Sequence, residues 1–146
     1  MSSENLKDGF ELVFTVEDYY DGPRKGIANY QGRPHFYECI FDGKKQNYSD
    51  RFQLTPLDQN TFEIALEAWE IWRRWEMAFS QGETTLDTHP ALPHEAARCS
   101  QLQKILEPLV TDDRKAIVRT GHFEARQGPA LAKGVMRPLQ VKWAEG

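Results

Sequence analysis

Residues 58–82 read Asp58-Gln59-Asn60-Thr61-Phe62-Glu63-Ile64-Ala65-Leu66-Glu67-Ala68-Trp69-Glu70-Ile71-Trp72-Arg73-Arg74-Trp75-Glu76-Met77-Ala78-Phe79-Ser80-Gln81-Gly82. Wound at a helical period, the apolar positions cover most of the circumference. Glu63, Glu67, Glu70 and Arg74 gather in the arc that remains. This pattern predicts a helix buried on more than one side. Asp58 or Asn60 is placed to cap it, Asn60 standing three before Glu63 as in a capping box. Gln81-Gly82 supplies the stop.

Upstream of this helix the signals change to strands and turns. Phe10, Leu12 and Phe14 alternate with Glu11 and Thr15, and Asp21-Gly22-Pro23 breaks the run. Gly26–Tyr30 and His35–Phe41 flank the short Gln31-Gly32 link and read as a hairpin. Pro34 belongs at a strand start or an edge. Arg51–Leu57 is a fourth, short strand. Downstream, Thr84–Leu92 reads as a loop, with Pro93 as the first residue of a second helix. Cys99, Leu102, Ile105, Leu106 and Leu109 form that helix's apolar stripe, and Pro108 ends or kinks it. Ala116–Arg126 reads as a strand with a bulge at Gly121. Gln127–Met136 reads as a loop, and Leu139, Val141 and Trp143 mark a terminal strand.

The expected class is α+β. A strongly bent antiparallel sheet or small β-barrel of about five or six strands carries a two-helix insertion between strands four and five. The alternative is an open antiparallel sheet with both helices on one face. Trp69, Trp72 and Trp75 are expected to seal one side or end of the barrel. The chain is read as one domain, 1–146, with 1–9 a flexible tail.

Composition narrows the function classes. At 146 residues, with 40% apolar and 12% aromatic side chains, the chain is long enough for a core and too aromatic for disorder. Two cysteines, Cys39 and Cys99, make neither a disulfide framework nor a CxxC pair. The polar opening Met1–Asp8 has no apolar run behind it, and no stretch is long enough to span a membrane. The expected setting is cytoplasmic, with no membrane association. No P-loop, nucleophile elbow, dinucleotide fingerprint or HExxH motif occurs. No cofactor is implied. His89, His94 and Cys99 stand five apart, a poor spacing for helical ligands, so no metal is implied either.

The segment from Glu17 to Gly26 draws most interest. It packs Tyr19 and Tyr20 among Asp18, Asp21, Arg24 and Lys25 around a Gly-Pro break. Flat amphipathic rings beside carboxylates suit a surface that holds a protein or peptide. The candidate binding set is therefore Asp18, Tyr19, Tyr20, Asp21, Tyr30 and Tyr37. Here Tyr30, Tyr37 and Tyr48 either extend the surface or fill the sheet. Residues 114–146 carry 7 Lys+Arg against 2 Asp+Glu, whereas 58–113 carry 4 against 11. Arg119, Arg126, Lys133, Arg137 and Lys142 thus form an alternative anion or nucleic-acid surface, which the overall charge of −4 disfavours. A third reading is a small enzyme with its site assembled around His35 or His122.

Tyr20-Asp21-Gly22-Pro23, Gly26-Ile27-Ala28, Gly32-x-Pro34-His35, Leu66-Glu67-x-Trp69-Glu70-Ile71-Trp72 and Trp75 together resemble small uncharacterised bacterial proteins. The resemblance spans roughly residues 15–80. It implies a bacterial, intracellular protein and transfers no catalytic residue, because no activity is assigned to such proteins.

Overall fold

A computed structural model describes residues 6–110, 115–126 and 138–145. The loop expected over 127–136, the acidic pair Asp112-Asp113, and Lys133 and Arg137 lie outside those residues. So do the side chains of Leu109 and Val110. Six strands are present: β1 (Glu11–Tyr19), β2 (Pro23–Tyr30), β3 (Arg33–Asp42), β4 (Asn47–Pro56), β5 (Ile117–Ala125) and β6 (Leu139–Glu145). Two α-helices, α1 (Gln59–Ser80) and α2 (Ala96–Val110), enter between β4 and β5. The described chain forms two compact units, a strand unit and a helical unit.

The strand unit is a closed barrel in sequence order, every pair antiparallel. β4 and β5 pair directly from Leu54↔Ile117 to Arg51↔Thr120, despite the insertion between them. β1 closes onto β6 through Glu11↔Val141 and Leu12↔Gln140. Closure leaves no free sheet edge, so Pro34 lies within the barrel, opposite Asn29 near the start of β3.

Tyr37, Phe52, Phe123 and Trp143 fill the interior, with ring centroids 5.3–6.3 Å apart. Two glycines make room for them. A Cβ at Gly121 would lie 2.6 Å from the Trp143 ring and 2.9 Å from that of Phe52. The register through Gly121 is continuous, so the expected bulge is absent and the glycine serves packing instead. The irregularities fall in β1 and between Cys39 and Phe41. Gly26 sits opposite Tyr37, whose hydroxyl passes it to donate to the Thr15 carbonyl at 3.0 Å. Ile27 N–H donates to the Thr15 hydroxyl at 2.8 Å, so this buried polar corner is internally paired.

Ahead of β1, Lys7 contacts β5 and β6. Lys7 N–H donates to Gln140 at 2.9 Å and its ammonium meets Glu124 at 2.7 Å.

In the helical unit, α1 begins at Gln59, which places Asn60 inside the first turn rather than at the cap. The Gln59 amide donates to Glu63 at 2.8 Å. Pro93 opens a short 3-10 turn, Pro93–Glu95, that leads into α2. Pro108 lies inside α2, which continues to Val110. Ile71, Ala91, Cys99 and Leu102 form the unit's core, joined by Ile64 and Ala68. Arg74–Glu95 and Arg98–Glu67 ion pairs link α1 to the turn and to α2. The indoles find partners inside this unit. Trp75 is buried, donates to the Thr88 hydroxyl at 2.7 Å and packs edge-on to His89. Trp69 and Trp72 are half-buried and stack on each other at 5.1 Å.

Candidate functional site

The β1–β2 connection turns over Tyr20-Asp21-Gly22. Asp21 and Gly22 take φ values of 55° and 130°, left-handed geometry that Asp tolerates and Gly favours. Tyr20 N–H closes the turn onto the Gly22 carbonyl at 2.9 Å. Arg24 then braces it from within the next strand. Its Nε donates to the Tyr20 carbonyl at 2.7 Å and one Nη to the Asp21 carbonyl at 2.8 Å. The other Nη approaches Cys39 Sγ at 3.5 Å, and the guanidinium lies over the Tyr48 ring at 4.4 Å. Arginine suits this position because its planar fork can bond and stack at once.

Tyr48 is the hub of an aromatic cluster. Tyr20 meets it at 6.3 Å, and Phe41 edge-on at 5.3 Å. Tyr19, Tyr20 and Phe41 remain 57%, 69% and 52% exposed. Asp18 and Asp21 are exposed beside them. Of the six expected binding residues, Asp18, Tyr19, Tyr20 and Asp21 are exposed at this turn and the strand end before it, and Tyr20 packs on Tyr48. Phe41 and the bracing Arg24 were missing from the set. Phe41 carries one signal in sequence, a bulky ring at the last position before the Asp42-Gly43 turn.

The remaining two tyrosines are elsewhere. Tyr37 is fully buried in the barrel interior. Burial, and then the nearby Glu17 carboxylate, push its hydroxyl well above the ordinary phenol range. Tyr30 ends β2, the opposite end from the Tyr20 turn, and packs against His35. Its hydroxyl accepts from Arg119 Nε at 3.0 Å. Arg119 also donates to the Val118 carbonyl at 2.7 Å, so this member of the basic set is engaged within the barrel. Lys142 is exposed on β6 and Arg126 follows β5.

Glu17 is exposed at the end of β1, and partial loss of water around its carboxyl raises it above the usual range, against the Thr15 hydroxyl and Lys25. Burial likewise raises the Cys39 thiol, with Arg24 opposing, so Cys39 stays protonated and is a poor nucleophile. Its Sγ donates to the Ser49 carbonyl at 3.1 Å. His35 is buried with Nδ1 2.8 Å from the Arg33 carbonyl. His122 meets Glu124 at 2.8 Å on the surface. Among the described residues, no three His, Cys, Asp or Glu side chains gather as a metal ion would require. No described helix is long and apolar enough to cross a membrane.

The chain matches no family model, no curated protein and no solved structure.

Proposed function

We propose that the chain is a non-catalytic binding module whose Tyr19–Tyr20–Phe41–Tyr48 surface holds a protein or peptide. The observation that carries this reading is the exposure of Tyr20 and Phe41, both packed on Tyr48, next to a turn that Arg24 holds through two hydrogen bonds. Large rings left in water gain most when a partner covers them, and aromatic anchors dominate binding energy at interfaces. A braced turn loses little conformational freedom on docking. Asp18 and Asp21 would form a polar rim around the rings.

A photo-crosslinking side chain in place of Tyr20, compared with one in place of the exposed Glu70 on α1, tests the reading in cells. The expected result is a discrete adduct at position 20 that Tyr19→Ser with Phe41→Ser removes. No adduct above the Glu70 control, or one indifferent to the double change, refutes the surface. An adduct that is nucleic acid moves the function to another class.

A further inference from the structure

A concavity lies wholly within the helical unit and is independent of the aromatic turn. It has a volume of about 360 Å³, within the range of small-molecule sites. One wall is the face of α2 bearing Ala96, Ser100 and Gln103, residues at helical spacing, with Cys99 at its base. The other wall is the loop Asp87–Ala91. That loop is already fixed. Thr88 accepts from Trp75 at 2.7 Å, bonds Thr84 at 2.6 Å and donates to the Thr85 carbonyl at 2.7 Å. His89 Nε2 accepts from the Trp72 indole at 3.4 Å. A preformed wall needs little ordering when a ligand arrives.

The lining selects by charge. It contains no lysine or arginine, and Asp87 is its single carboxylate. One Asp87 oxygen accepts from the Thr85 hydroxyl; the other has no partner among the described residues. Residues 59–110 carry 4 Lys+Arg against 8 Asp+Glu, so the surrounding field favours cations and repels anions. Pro90, Pro93 and Ala96 offer apolar contact, and the Ser100 and Gln103 side chains are polar groups with no bond elsewhere among the described residues. We infer that this groove binds a small organic amine, its ammonium on Asp87 and its apolar body against Pro90, Pro93 and Ala96. Binding is non-covalent, since an alkylammonium offers the Cys99 thiol no electrophilic centre.

Titration calorimetry of the full chain with 2-phenylethylamine, 2-phenylethanol and 3-phenylpropionate tests the inference with one apolar body and three charges. The amine is expected to saturate a single site, the alcohol to bind at least tenfold more weakly, and the acid not at all. Asp87→Asn keeps the bond to Thr85 and should weaken the amine at least tenfold. Ala96→Phe should fill the groove and abolish binding. Indole fluorescence of each variant checks that the loop held by Trp72 and Trp75 is intact. Equal affinity for amine and acid, an amine indifferent to Asp87→Asn, or no saturable binding of the amine overturns it.

Discussion

Gly26→Ala is the sharpest probe of the barrel interior. In an ordinary strand the change would gain about 0.5–1 kcal/mol, because glycine weakens strands. Here the new Cβ would overlap the Thr15 carbonyl oxygen and come within 2.8 Å of the Tyr37 hydroxyl. Overpacking of a core costs about 1–3 kcal/mol. Displacing Tyr37 leaves a buried carbonyl without its donor, about 1–3 kcal/mol more. The balance is a net loss of about 1–5.5 kcal/mol. Tyr37→Phe alone should lose about 1–3 kcal/mol, since it removes only the bond to Thr15. The double variant should lose less than the sum of the two, because both act on that one hydrogen bond. Urea denaturation supplies the energies. Trp143, whose ring lies 6.3 Å from that of Tyr37, reports on the barrel as one of the four tryptophans in the fluorescence. A neutral or stabilising Gly26→Ala, or full additivity with Tyr37→Phe, would refute this account of the interior.

Two further outcomes follow from the helical unit. Trp75→Ala should cost about 3–5 kcal/mol as a buried aromatic, and Trp72→Ala only about 1.5–3 kcal/mol because its ring is half-buried; equal losses in thermal or urea melts would contradict their burial. Arg74 bonds Glu95 and holds its carboxyl below the usual range, so its stabilisation is present above about pH 4.3 and disappears as pH falls through the lowered folded value. With Arg74 half exposed, the wild type should exceed Glu95→Gln by less than ~1 kcal/mol at pH 7, and the gap should close on acidification. A gap that widened in acid would reverse the sign argued here.

The presence of the strands, the turn residues and the apolar sweep of α1 were readable, because each is a local pattern, but the inward face of β1 was not: Val13, Thr15 and Val16 are buried, whereas the alternating Phe10, Leu12 and Phe14 are only half-buried. The insertion was readable too, since strands resume after Asp113. What escaped depends on closure of the barrel. Whether Tyr37 faces inward or outward is set by register around six strands, and irregular pairing in β1 shifts that register locally. Gly121 shows the same limit: a glycine signals a missing side chain, whether for a bulge or for the Trp143 ring. Arg24 read as a charge beside acids, yet its donors go to backbone carbonyls and a ring, partners that spacing cannot reveal. The amine groove was hidden because Thr84–Leu92 reads only as a polar loop until Trp72 and Trp75 are seen to hold it.

The direct pairing of β4 with β5 bears on the order in which the molecule folds. β1 to β4 follow one another through short turns, so their contacts form early and at small entropic cost. Joining Leu54 to Ile117 encloses the whole helical segment, and a flexible loop of that length costs ~2.4 kcal/mol more to close than a four-residue turn. Helices that form first shorten that search, which makes α1 and α2 act as a built-in accelerator for the final two strands.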